Sequence, residues 1–387
     1  MIYPELEGAA LIGRKAMFEK RSIEEKARKG IDPQLLERSL HCVEYVAQMV
    51  SAGLELVFKG GTACQLLVGE GIQRLSIDVD IAVDCNGREL RAALGSISGR
   101  MGGRTYSAVE VPKKGLDAVP LLMFNISAPT YYPGQKRETM IKLDAVLEAP
   151  RYATALHKLS TFYYDSNVRV RTPTTGSMLG DKLSTLGPKT IGIPPDRAVD
   201  NAKQFYDIGS LLTKPFDLAD VKKAHRACFD DVARWRGLSV EYGDALRDLV
   251  DWCKVASALQ FPPPGTDSGK RGMIDVLSKG VEGFGGYIAR ENALSKGRLR
   301  ETASRTVLLA EIISKDGDGG RLLDFVVAPS RFSRQIIDAF PEIADKVALV
   351  KKKERWHIHL NEFRNNPLAL ASWFGYWYPE DLKRILG

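Results

Sequence analysis

The sequence predicts an α+β protein, with a small mixed sheet flanked by helices in residues 1–175 and a largely helical portion over 176–387. Three observations predict it. Between Leu54 and Leu147, short alternating or continuous apolar runs are separated by Gly, Pro, Asn and Asp, the pattern of strands and turns. Ahead of them, Leu36, Leu40, Val43, Val46 and Met49 recur at helical spacing. After Gly176 the spacing is helical again, in SMLGDKLSTLG and then AVDNAKQFYDIGSLL.

Taken in order, residues 1–52 are expected to be helical, ending in the amphipathic segment from Pro33 to Met49. Leu54 to Phe58 is a short strand that runs into Gly60-Gly61, and the apolar residues after Thr62 form a short helix. RLSIDVDIAV is a strand closed by Asp84-Cys85-Asn86-Gly87, and Arg88 to Ile97 is a helix. TYSAVEVP, AVPLLMFNISA and TMIKLDAVLE are further strands. Phe261-Pro262-Pro263-Pro264-Gly265 and the polar run after it form a linker, so the helical portion can subdivide near 261–271.

A chain of 387 residues is long enough for two or three domains, and its 44% hydrophobic and 27% charged residues are ordinary for a globular protein. No apolar run approaches the ~20 residues of a membrane span, and MIYPELEGAALIGRK lacks the layout of a signal peptide. Five cysteines, an odd number without a CxxC pair, suit reduced thiols in a cytoplasmic protein. The net charge of +7 favours a polyanionic partner without identifying one.

The most informative stretch is KGGTACQLLVGEGIQRLSIDVDIAV, from Lys59 to Val83. Side chains alternate along a strand, so Asp78 and Asp80 share one face while Ile77, Val79, Ile81 and Val83 take the other. Two carboxylates side by side are costly without a cation between them. Magnesium, which carboxylates and substrate phosphates hold together, meets that need. Gly60 and Gly61 let the backbone approach a triphosphate, Thr62 offers a hydroxyl, and the N–H groups opening the next helix form an anion site. Nucleotidyl transfer needs such parts: an in-line nucleotide, neutralised phosphate charge and two metal ions held by carboxylates. Asp144 in Ile141-Lys142-Leu143-Asp144 is the candidate third carboxylate; its other reading is a strand-end residue paired to Lys142.

The series GGTA, RLSIDVDIAV, IKLDAV, GDKLSTL and RAVDNAKQFYDIGSLL, over roughly residues 40–215, resembles the AbiEii/MenT-type nucleotidyltransferases. These are bacterial toxins of toxin–antitoxin and abortive-infection systems, within the DNA polymerase beta-like superfamily. The resemblance implies that Asp78, Asp80 and Asp144 bind metal, that Lys182 faces the triphosphate, and that Asp207, with Lys203, closes a Lys-Asp-x-x-Asp stretch. Here Gln204 stands where the first of those aspartates is usual, which leaves that motif incomplete. Gly61-Thr62 replaces the superfamily's Gly-Ser and keeps the hydroxyl. Lys59, Arg74 and Ser76 fit the nucleotide side of the pattern; for Arg74 a surface salt bridge is the competing reading, and for Arg197 a helix-cap or surface role.

The implied activity is transfer of a nucleoside monophosphate from an NTP, with two magnesium ions, to an acceptor hydroxyl. The implied acceptor is the 3′ end of transfer RNA, whose modification stops translation, and the implied partners include an antitoxin but no membrane. The alternatives are a protein or small-molecule acceptor such as an aminoglycoside, or a non-catalytic binding protein on the same fold. Weaker signals lie outside this set. Lys351-Lys352-Lys353-Glu354-Arg355-Trp356 reads either as an RNA surface or as a solvated helix end. His357 and His359 lack a third metal ligand, and Asp316-Gly317-Asp318-Gly319-Gly320 lacks the later ligands of a calcium loop.

Overall fold

Asp32 starts the longest helix of the N-terminal half. Its carboxylate accepts from the backbone N–H groups of Gln34 and Leu35, and Pro33 takes the first helical position. The computed structural model describes residues 2–103, 105–112, 118–132, 138–259, 268–353 and 360–387. The chain divides into two compact units, Met1–Thr174 with Gly285–Ala293, and Thr175–Phe284 with Leu294–Gly387. The linker candidate at Phe261–Gly265, the segment Glu354–Trp356 and both His357 and His359 lie outside the described residues.

In the first unit, α1 (Lys20–Ala27) and α2 (Pro33–Ser51) precede β1 (Leu56–Lys59), α3 (Gly60–Val68), β2 (Asp78–Val83) and α4 (Gly87–Arg100). Asn86 and Glu89 form a reciprocal capping box that starts α4. Then come β3 (Ala108–Val111), β4 (Leu121–Pro129), β5 (Glu138–Val146), β6 (Thr154–Thr161) and β7 (Tyr164–Pro173). They form a mixed sheet in the order β3-β4-β5-β2-β1-β7-β6. β2 runs parallel to β5 and β1 parallel to β7, and the other neighbours are antiparallel. Phe58, Val79, Ile81, Phe124, Ile126, Ile141, Leu143 and Ala145 are buried on one face, and α2 packs against β2, β5 and β7. The alternate residues, including Lys59, Asp78, Asp80, Lys142 and Asp144, belong to the other face.

Two features depart from the sequence expectation. Residues before Lys20 form an arm with short 3-10 turns at Pro4–Leu6 and Lys15–Phe18, not a helix. A buried polar stripe on α2 holds this arm. Tyr3 donates to Glu37 at 2.7 Å, the N–H groups of Ile12 and Gly13 donate to Glu44 at 2.9 Å, and Gln48 donates to the Ala10 carbonyl at 2.8 Å. His41, also in the stripe, meets the Tyr106 hydroxyl at 2.7 Å. The second departure is the β6–β7 hairpin. Its buried positions include the polar Ser166 and Thr172 as well as Tyr164 and Val170, so its apolar alternation is weak.

The second unit is helical: α5 (Thr175–Ser184), α6 (Ala198–Leu211), α7 (Leu218–Arg236), α8 (Tyr242–Ser257), α9 (Ser268–Gly283), α10 (Lys296–Ile313), α11 (Gly320–Val327), α12 (Ser333–Asp338), α13 (Phe340–Lys353), α14 (Leu360–Phe363), α15 (Pro367–Trp377) and α16 (Pro379–Leu386). Buried arginines of α10 satisfy the ends of other helices. Arg305 donates to the carbonyls of Leu212 at 2.9 Å and Val326 at 2.8 Å, and Arg300 to that of Ser257 at 3.2 Å. Guanidinium groups at helix C-termini complement orphan carbonyls and the helix dipole together. Among the described residues, no helix is long and apolar enough to cross a membrane.

Candidate active site

The strand that carries Asp78 and Asp80 lies between the two strands that supply its neighbours. Antiparallel pairing with β1 sets Lys59 opposite Asp80. Parallel pairing with β5 sets Asp80 beside Asp144 and Asp78 beside Lys142. Register partners project from the same face of a sheet whose strands are about 4.8 Å apart. Asp80 and Asp144 are therefore lateral neighbours, with Asp78 one pleat along, and all three are half-buried. Lys142, which the sequence offered only as a partner for Asp144, shares this face.

The two glycines make room for this row. Gly60 has φ +69°, and a Cβ there would overlap the Asp80 carboxylate. One at Gly61 would overlap the Arg74 guanidinium and come within 2.9 Å of Ser76 Oγ. The turn thus lets backbone lie directly against a carboxylate and a guanidinium. Lys59 is the N-cap residue of α3 and its own side chain makes no cap hydrogen bond; a helix N-terminus is a place where anions bind.

The segment before β2 is pinned from several sides. Thr62 is fully buried and its hydroxyl donates to the Asp78 carbonyl at 2.6 Å, joining α3 to the first residue of β2. Ser39 of α2 donates to the Ser76 carbonyl at 2.8 Å, and the Phe162 N–H donates to Gln73 at 2.9 Å. Arg74 is buried, not at the surface, and donates to the Leu75 carbonyl at 2.9 Å. On α2, burial pushes the Cys42 thiol well above its ordinary value, and the charges of Asp78 and Asp80 push the same way. That thiol stays protonated and inert.

Among the described residues, no group of three or more His, Cys, Asp or Glu side chains forms a ready-made metal cage. The donor set still fits magnesium, because that ion is bound through one or two carboxylates and completed by substrate phosphates and water. Paired carboxylates on one face satisfy the protein's share of such a site.

The second unit holds the remaining site candidates. Lys182 of α5 lies 2.9 Å from an Asp207 carboxylate oxygen of α6, the two side chains being 5% and 3% exposed. The same ammonium donates to Gln204 at 3.0 Å. Gln204 thus keeps an acceptor on Lys182 without a second negative charge. Lys203 and Arg197 both lean on Asp200, at 3.4 and 3.1 Å. In the Asp316–Gly320 turn, the Lys222 ammonium binds the carbonyls of Lys315 at 2.6 Å and Gly317 at 2.8 Å, where a calcium loop would use such oxygens for its ion.

The family model for nucleotidyl transferase AbiEii toxins of type IV toxin–antitoxin systems matches residues 47–272. The chain belongs to the AbiEii family. The AbiEii match takes in the strand–turn–helix at Lys59–Thr62, the carboxylate strands and the Lys182–Asp207 pair. It leaves out the N-terminal arm and everything beyond the start of α9. A comparison with curated proteins finds no match. Among solved structures, a crystal structure of an H. pylori protein, provisionally described as a nucleotidyltransferase, is similar over 72% of this chain and 95% of its own. At 16% identity and a TM-score of 0.38, that likeness is too distant to carry an argument. As an AbiEii protein the chain is a nucleotidyltransferase toxin.

Proposed function

We propose that this AbiEii toxin binds a nucleoside triphosphate with magnesium at Asp78, Asp80 and Asp144, and transfers the nucleoside monophosphate to the 3′-terminal hydroxyl of transfer RNA. The observation that carries this reading is the side-by-side register of Asp80 and Asp144, with Asp78 on the same face, next to the Gly60-Gly61 turn. The net charge of +7 suits a polyanionic acceptor. In this reading the cytoplasm is the site of action, translation is blocked because modified transfer RNA cannot be charged, and a cognate antitoxin is the expected partner.

The N-terminus of α3 and the Lys59 ammonium orient the triphosphate. The acceptor oxygen forms a bond to the α-phosphorus as the bond to the bridging oxygen of the β-phosphate breaks, and that electron pair leaves on pyrophosphate. Asp144 takes the proton from the acceptor hydroxyl. Bound magnesium would activate that hydroxyl and neutralise the charge developing on the phosphates. Buried Arg74 holds the turn in shape behind the nucleotide. The test is incubation of purified protein with total RNA, magnesium and each labelled NTP. Label on transfer RNA with release of pyrophosphate is expected, and absence of label with all four nucleotides would sink the proposal.

A further inference from the structure

We infer that Tyr152 is a positioning residue for the nucleotide, holding the Lys59 ammonium beside the carboxylate row; this rests on the reading that Lys59 contacts the triphosphate. Lys59 is the last residue of β1, the N-cap of α3 and the register partner of Asp80. A lysine has four rotatable bonds and loses much freedom when it is fixed, so a contact that restrains it in advance favours nucleotide binding. The Tyr152 ring does so: its centroid lies 5.4 Å from the Lys59 nitrogen, inside the range in which a π face attracts an ammonium.

The fold explains why that ring is there. Val57 of β1 pairs in parallel with Arg171 of β7, which brings the end of β7, Pro173 and Thr174, alongside Lys59. The Thr174 N–H donates to the Ala153 carbonyl at 3.1 Å, placing the residue before Ala153 at the same spot. The other end of this β5–β6 connector is fixed too, by the Leu147 N–H on the Pro120 carbonyl at 2.7 Å. Tyr152 is itself only 8% exposed. A ring fixed through its neighbours and by burial gives the flexible lysine a fixed point. The π face is the part that acts, so Phe should replace Tyr and an aliphatic residue should not.

The test measures binding of each of the four ribonucleoside triphosphates, with magnesium, to the full chain and to Lys59→Ala, Tyr152→Leu, Tyr152→Phe and the Lys59→Ala/Tyr152→Leu double variant, alongside melting. Loss of the ring contact should weaken binding about five- to tenfold in Tyr152→Leu, with Tyr152→Phe close to the parent. The double variant should bind no more weakly than Lys59→Ala, because Tyr152 acts through Lys59. Parent protein that binds no nucleotide, or Lys59→Ala that binds like the parent, overturns the reading of Lys59 and this inference with it. If Lys59→Ala is weak but Tyr152→Leu binds normally, or weakens binding further in the Lys59→Ala background, the inference fails and the reading of Lys59 stands. Should Tyr152→Leu melt early, Tyr152→Met, which fills the space without a π face, replaces it and is judged by the same outcomes.

Discussion

Asp80 of β2 and Asp144 of β5 are direct partners across a parallel strand pair, in the row that also contains Lys59. Two like charges on neighbouring strands repel one another, and such pairs are destabilising when directly opposed. Their adjacency suits joint use of the pair on one cation. Asp80→Asn and Asp144→Asn each remove one charge and almost no volume. Either should lower nucleotide transfer at least about a hundredfold, since metal-centred charge stabilisation contributes several kcal/mol. Melting should stay level or rise. A variant that melts much earlier while keeping full transfer would mean that the pair is structural.

Gly60→Ala probes the same row from the backbone. The residue sits at φ +69°, and its new Cβ would overlap the Asp80 carboxylate. The left-handed conformation alone costs about 1–2 kcal/mol for a residue with a Cβ. Displacement of Asp80 should add a loss of activity comparable to that of Asp80→Asn. The steric part disappears when the carboxylate is cut back, so Gly60→Ala combined with Asp80→Ala should be less destabilised than the sum of the two single changes. Strict additivity in urea unfolding would show that the two residues do not press on each other.

The sequence exposed some of this and hid the rest for identifiable reasons. β2 was legible because Val79 and Ile81 alternate with its two carboxylates, and β5 because Ile141, Leu143 and Ala145 do the same around Lys142 and Asp144. The pairing of Asp80 with Asp144 was not, since strand order is a long-range property that no local spacing encodes. β7 escaped because Ser166 and Thr172 occupy buried positions and dilute its alternation. The stripe Glu37, His41, Glu44 and Gln48 on α2 has helical spacing, but charged residues at that spacing normally mark a solvated face. The backbone of the N-terminal arm, the Tyr3, Tyr106, Thr130 and Tyr164 hydroxyls and the Tyr131 N–H reveal why it is buried.

Lys182 and Asp207 form a pair so buried that each depends on the other. Lys182→Ala should cost about 3–5 kcal/mol, because it leaves the Asp207 carboxylate buried without its cation. Lys182→Met combined with Asp207→Leu removes both charges and should recover most of that loss. The activity of this double variant separates two roles. If the lysine serves only to neutralise Asp207, transfer returns with stability; if its ammonium also acts on the triphosphate, the protein melts normally and remains inactive.

Two buried histidines should cost this protein stability as pH falls below 6.5. Burial depresses His41 to about 3 and His225 to about 4, from an ordinary value of 6.5. Above pH 6.5 both are neutral in the folded and unfolded chain alike, and neither affects the balance. As pH falls below 6.5 the unfolded chain takes up their protons and the folded chain does not, so stability drops until the folded values are reached. Each proton contributes a slope of about 1.4 kcal/mol per pH unit. Glu37 and Glu44 act the other way. Burial raises both, so the folded chain binds their protons first, and their contribution grows as pH falls towards the unfolded value near 4.5. The two effects overlap, and a variant must separate them. His225→Gln keeps a polar side chain beside the Tyr242 hydroxyl, its partner at 2.8 Å, and cannot be protonated. Urea midpoints between pH 7 and pH 4.5 should fall less steeply for this variant than for the parent, by up to one proton's slope. Identical slopes would mean that His225 takes up its proton over the same pH range in the folded and the unfolded chain.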